Sequence, residues 1–265
     1  MGIAILLFFV VSFLASVIGA ICGIGGGVII KPVLDLCGLA SVSTISFLSG
    51  CTVLSMSCYS VAKNLSSGES RVNMKTGTPL ALGGAVGGVL GKQMFQAVRA
   101  LFENPNTVGA VQAACLGVLT LGTLVYTLYK GRIRTKRLQS VSVCLVIGLA
   151  LGILSSFLGI GGGPFNLVIL FYFFSMDTKT AAQNSLYIIL FSQVTSLVTT
   201  LLTRSVPPFE WPALLLMVSG GIGGGMVGRQ VNKKLDNAAV DRLFIALMAV
   251  IICICGYNVV RYAGG

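Results

Sequence analysis

The pentapeptide Gly23-Ile24-Gly25-Gly26-Gly27 recurs letter for letter as Gly159-Ile160-Gly161-Gly162-Gly163, 136 residues later in a chain of 265. Each copy interrupts a long apolar stretch and is followed by a further apolar run. Three successive glycines are costly in a helix, because glycine loses the most backbone freedom on ordering. Such a run marks a place where the chain turns, unwinds or lies close to another group. In lipid, freed backbone groups are tolerated only inside protein or beside a wet cavity. Two accounts fit: broken helices around a substrate site, or tight hairpins that need small residues for packing. The duplication favours the first, since transporters place substrate where discontinuous helices of two repeats meet.

Hydrophobic residues make up 55% of the chain and charged residues 9%, with a mean hydropathy of +0.94. A soluble domain carries about 25% charged residues, so the chain reads as an integral membrane protein of the cell membrane. Runs of roughly 20 residues without polar alternation fit helices rather than barrel strands. The fold class expected is all-α and polytopic. Apolar segments fall at 3–22, 28–38, 42–62, 76–98, 107–129, 141–158, 164–175, 180–202, 211–228 and 240–260, two matched sets of five. Thr44 and Thr180, and Ser49 and Ser185, share the 136-residue offset, and Gly91-Lys92-Gln93 matches Gly228-Arg229-Gln230 at 137. The expected organisation is one repeat over 1–130, a basic linker over 131–140 and a second repeat over 141–265.

Segments 28–38 and 164–175 are short for a hydrocarbon core of about 30 Å. If they cross, each repeat has five spans and the repeats are inverted; if they re-enter, each has four and the repeats are parallel. Lys and Arg concentrate on the cytoplasmic side of a membrane protein. Five spans place 13 Lys and Arg inside, against Lys92, Arg99, Arg204 and Arg261 outside, with Lys31 in the membrane. Four spans give no such asymmetry, so inverted repeats of five segments, each with one short broken helix, are expected. The net charge of +11 is then topological and calls for no nucleic-acid partner. The first 20 residues lack a basic start and read as a spanning helix rather than a signal peptide.

Polar residues inside apolar segments cost free energy and are candidates for function. In the second half they gather at Asn184, Ser185 and Gln193; the first half offers Ser49 and Thr52. Gln183, Asn184 and Ser185 are expected at a helix start, whose partly unpaired amides favour an anion. Lys31, four residues past the first glycine run, is expected to neutralise an anion or to pair with Asp35 one turn on. With Gly25, Gly26, Gly27, Gly161, Gly162 and Gly163, these form the candidate substrate site. Asp35 and Asp177 are the acids near the short helices and could couple transport to a proton. The structural alternative for each side chain is capping, interhelical bonding or packing.

The chain has no histidine, no Cys-x-x-Cys and no Gly-x-x-x-x-Gly-Lys-Ser/Thr. Histidine acid–base catalysis is thereby excluded, and no metal site, cofactor or ATP-binding motif is expected. A membrane enzyme would need a nucleophile with a base, and Lys31 has no evident partner serine. A transporter is expected instead, with a passive anion channel on the same repeats as the alternative.

The doubled Gly-Ile-Gly-Gly-Gly, with Val28-Ile29-Ile30-Lys31-Pro32 after the first copy and Pro164-Phe165-Asn166 after the second, resembles the sulfite exporter TauE/SafE family. Ala182-Gln183-Asn184-Ser185-Leu186 resembles the Thr-Ser-Leu that usually opens the family's next helix, with Asn184 in place of Thr; Leu48-Ser49-Gly50 keeps only the serine. The resemblance covers essentially the whole chain. It implies a secondary transporter of small sulfur-containing anions such as sulfite, thiosulfate or sulfoacetate, in the lipid bilayer. A proton or sodium ion is the coupling partner expected of such a carrier.

Overall fold

The computed structural model describes residues 2–68, 70–102 and 105–263. Ten α-helices follow one another: α1 (Gly2–Cys22), α2 (Gly27–Cys37), α3 (Val42–Ser66), α4 (Met74–Leu101), α5 (Pro105–Tyr129), α6 (Val141–Leu158), α7 (Pro164–Phe174), α8 (Thr178–Leu202), α9 (Trp211–Lys234) and α10 (Asn237–Ala263). Among the described residues no strand occurs. Among the described residues, six helices are long and apolar enough to cross a membrane: α3, α5, α6, α8, α9 and α10. The 28-residue α4 is not among them, although the sequence marks 76–98 as an apolar segment. Its core is glycine rather than leucine or valine, so its hydropathy falls while its length remains ample.

The glycines of α4 and α9 set the packing. A methyl group built on Gly83 or Gly87 would lie 2.2 Å from the carbonyl oxygen of Leu145 or Leu149 in α6. Gly148 and Gly152 of α6 return the contact against the carbonyls of Leu80 and Gly84. On the other side of the molecule, Gly224 and Gly228 of α9 press on the carbonyls of Phe13 and Val17 in α1. Small residues let helix backbones touch, which is how helices associate where lipid removes the hydrophobic drive.

These contacts fix directions. Residue numbers rise together along α1 and α9, and along α3 and α9, where Gly221 meets Thr52 and Gly225 meets Met56. Helices α1 and α3 therefore run the same way, and the segment between them, α2 included, carries the chain back. The same holds for α6, α4 and α8: Gly84 meets Gly152 and Ile188, and Gly88 meets Ser192. Helices α6 and α8 are thus parallel, with α7 between them. Numbers run oppositely for α3 and α8, where Gly50 lies by Gln193 and Gln183 accepts from the Arg71 amide just beyond α3. Helices α5 and α10 also pack on each other, and α2 lies on α10 as α7 lies on α5.

Candidate substrate site at two crossing glycine loops

Helix α1 ends at Cys22 because Gly23 turns to φ +74°, and α6 ends at Leu158 because Gly159 turns to φ +65°. Two residues on, Gly25 and Gly161 both adopt φ +70°. A positive φ is unstrained in glycine and strained in other residues. At these two positions the doubled sequence yields doubled backbone conformation; at the next the loops part, with Gly26 at φ −64° and Gly162 at φ +157°.

The two loops meet in the middle of the protein. A methyl group on Gly27 would lie 1.7 Å from the Ile160 carbonyl oxygen, and one on Gly162 would lie 2.9 Å from the Ile24 carbonyl oxygen. Val53 of α3 and Ile189 of α8 clamp the crossing from its flanks, each touching both loops. Both half-helices start here. α2 follows Gly26 and α7 follows Gly163, and neither N-terminus is capped by a side chain. The amides of Gly25, Gly26, Gly27 and Val28 donate to no other described residue, nor do those of Gly161, Gly162, Gly163 and Phe165. All eight residues are buried. Buried unpaired amides at helix N-termini form an environment suited to an anion.

Two candidate serines join the crossing. The Ser49 hydroxyl is buried without a partner, 2.9 Å from where a Gly27 methyl would stand. The Ser185 hydroxyl accepts from Asn166 Nδ2 of α7 at 3.3 Å. Lys31 stands at the rim of the second loop. Its ammonium donates to the Leu158 carbonyl at 2.8 Å and to Gln112 Oε1, and Gln112 Nε2 donates to the Phe157 carbonyl at 2.7 Å. Lys31 therefore does not pair with Asp35 as the sequence allowed. It turns toward the C-terminal carbonyls of α6, where the helix dipole favours a cation.

Other candidates lie elsewhere. Thr52 donates to its own helix at the Leu48 carbonyl, 2.8 Å, and its side chain faces Gly221 of α9. Asn184 Nδ2 donates to the Arg71 carbonyl at 3.2 Å and the Thr180 carbonyl at 2.8 Å, tying the segment after α3 to α8. The expectation that Gln183, Asn184 and Ser185 open a helix is corrected: α8 begins at Thr178, with Asp177 as its cap. Asp177 Oδ1 accepts from the amides of Lys179 and Thr180, both at 3.1 Å, so that terminus is already satisfied.

A recess opens on each side of the crossing. One, of about 440 Å³ out to its mouth, holds Ser46, Lys92, Gln112, Ser156, Gln193 and Ser196. The hydroxyls of Ser46 and Ser156 are buried without partners. The other, of about 960 Å³, is ringed by Arg71, Lys179, Arg229 and Lys233 with Asn64 and Gln183. It lies on the face expected to be cytoplasmic, termed inner, and the first on the outer face. Sequence reasoning singled out Gln193 but not Gln112, Lys92, Ser46 or Ser156. Gln112 carried a usable signal, being a lone amide inside the apolar Val111-Gln112-Ala113 of a spanning helix.

The profile of the sulfite exporter TauE/SafE family matches residues 8–254. The chain is 24% identical over 267 residues to the probable membrane transporter protein YunE of Bacillus subtilis (strain 168), across 92% of this chain and 94% of that one. No solved structure gives a significant match. The family match takes in both glycine loops, both half-helices and the long apolar helices up to the middle of α10, and on that ground this multi-pass membrane protein belongs to the sulfite exporter TauE/SafE family of membrane transporters.

Proposed function

We propose that the protein is a secondary transporter of small sulfur-containing anions such as sulfite, thiosulfate or sulfoacetate, working by alternating access about the glycine crossing. The observation that carries this is the meeting of two uncapped half-helix N-termini, with their unpaired amides, between two polar recesses. The substrate class comes from the family's name and from the chemistry of the crossing. Amides and hydroxyls bind an oxyanion without a fixed counter-charge, which lets it leave again.

Residues 1–130 and 141–265 act as inverted repeats, with 131–140 as the cytoplasmic linker. The opposed directions of α3 and α8, and the odd number of chain passages in each half, support this. The basic inner recess gathers anions; Ser49 and Ser185 with the glycine amides hold one in transit; Gln193 and Lys31 receive it on the outer side. The close packing of Val53 and Ile189 on both loops favours a carrier over an open pore. A proton or sodium ion drives the cycle.

Purified protein in liposomes should take up labelled sulfite, thiosulfate or sulfoacetate saturably, and internal unlabelled anion should accelerate entry. Equal movement of sulfate, acetate and phosphate would overturn the substrate class. Flux that does not saturate, and shows no acceleration by internal anion, would replace the carrier by a channel. Valine at Gly162 should abolish uptake in protein that still folds.

A further inference from the structure

Asp35 is a buried acid on the first half-helix, one turn beyond Lys31. Its Oδ1 has no hydrogen-bond partner. Asn258 of α10 is buried as well; its Nδ2 donates to the Pro32 carbonyl at 3.0 Å while its Oδ1 has no partner. Both side chains line one small recess, together with Lys31, Gln112 and Cys255. Two oxygen acceptors thus face a small buried space without a donor for either. An unmet buried acceptor is expensive, and a carboxylate inside a membrane span is more so. One added proton neutralises the carboxylate and supplies an O–H to a space in which Asn258 Oδ1 lacks a donor.

We propose that Asp35 is the proton-binding residue of this transporter, loaded and unloaded once in each transport cycle. The proposal rests on the reading of the protein as an anion carrier and fixes its coupling ion. Gln112 lines both this cavity and the outer recess, and Lys31 bonds to Gln112, so one side-chain pair separates proton from anion. With Asp35 ionised, its negative charge stands one turn from Lys31 on the same helix and offsets that positive charge without a direct ion pair. With Asp35 protonated, Lys31 carries an unbalanced positive charge at the rim of the second glycine loop. An arriving anion restores the balance, so anion and proton bind together. The proton comes from water, adds to the carboxylate, and returns to water on the opposite side with the anion.

The charged and titratable groups around Asp35 are few. Its own helix supplies Lys31. From α10 come Cys255, Arg261, whose Nη1 donates to the Asp35 and Leu36 carbonyls at 3.0 and 2.6 Å, and Tyr262, whose hydroxyl donates to the carboxylate and leaves only Oδ1 without a partner. The lining from α5 is Gln112, Ala113 and Leu116 and from α6 is Leu158, none of which titrates. The Arg261 bonds go to backbone, so its guanidinium holds the end of α2 to α10 in either protonation state.

The test uses full-length protein in liposomes with the membrane potential clamped at zero. With one proton per anion, an imposed difference of one pH unit should support about tenfold accumulation of thiosulfate. Asp35→Asn should lose that accumulation and show thiosulfate exchange that no longer varies with pH; Asp35→Glu should recover part of the accumulation. Infrared difference spectra of wild-type protein at high and low pH, with no anion present, should contain a buried protonated-carboxyl band that is absent from Asp35→Asn. Asn258→Leu, which keeps the carboxyl and removes its acceptor, should shift that band. Proton-driven accumulation by Asp35→Asn would overturn the assignment, as would the absence of such a band in wild type throughout the pH range of folded protein. Wild-type protein that moves no sulfur anion overturns the carrier reading instead, and the infrared band still judges the proton site.

Discussion

Gly27 has no room for a side chain because the Ile160 carbonyl oxygen stands 1.7 Å from where its Cβ would be. The obstruction is backbone from the other half of the chain, held between Val53 and Ile189, and cannot swing aside. Gly163, at the matching place in the second loop, is blocked first by the ring of Phe165, 2.1 Å from its would-be Cβ. A ring can rotate. Overpacking costs about 1–3 kcal/mol and occasionally more. Gly27→Ala should reach or exceed the top of that range and Gly163→Ala should stay near the bottom. Melting temperatures of the two variants in detergent check this; equal losses would refute the backbone contact.

The Lys31–Gln112 pair should behave as one unit. Lys31→Met strips donors from the Leu158 carbonyl and from Gln112, and Gln112→Leu strips partners from Lys31 and the Phe157 carbonyl. Leaving a buried polar group unmet costs about 1–3 kcal/mol. Each single variant should lose stability on that scale, and the double variant should lose clearly less than the two together. Coupling between contacting residues runs to about 0.5–3 kcal/mol. Additivity within error, in denaturation of the three variants, would mean the two side chains act separately.

The basic inner recess should set the rate at which anions arrive. Lys179→Gln should slow uptake from the inner side at low ionic strength by severalfold, a share of the roughly 10- to 1,000-fold that a whole basic recess supplies by steering. The difference should shrink as salt rises, because at 0.15 M the screening length is about 8 Å. Initial rates measured at several salt concentrations decide it; a deficit independent of salt would assign Lys179 a direct contact instead.

Asp177 offers a pH-dependent measure of stability outside the spanning segments. Its modest burial would raise the carboxyl's affinity for protons. Hydrogen bonds from Thr180 and Lys179, and the Arg71 guanidinium at 3.8 Å, outweigh it and hold the carboxyl below its ordinary range. A group depressed on folding stabilises above its unfolded pKa, about 3.9, and the gain fades as pH falls through the folded value. Asp177→Ala should cost about 1 kcal/mol near neutrality, as lost helix caps do. The gap between the variant and the parent should narrow as pH falls below about 3.9. Parallel melting curves at neutral and acid pH test the sign.

Both half-helices were legible in the sequence. Segment 28–38 became Gly27–Cys37 and segment 164–175 became Pro164–Phe174, because glycine and proline punctuate a chain locally. The crossing was legible where it depends on backbone, at the glycines, and where a serine follows at fixed distance on a facing helix, as Ser49 and Ser185 do. The surroundings of Thr52 and Asn184 were not. Period and polarity mark both as buried, but only packing decides that one turns to α9 and the other to the Arg71 segment. The start of α8 was misplaced because Gln183 and Asn184 look like capping residues, whereas Asp177 already satisfies the terminus six residues earlier.

The glycine seam between α4 and α6 brings carbonyl oxygens of one helix against the bare Cα atoms of the other, with no side chain between them. A seam of that kind has no rotamers to exchange and no gap to close. The two helices make a stiff beam, and α1 with α9 makes a second one. Any opening of the molecule must then take the form of two beams shearing past each other across the softer contact of α3 with α8, with the half-helices carried as passengers.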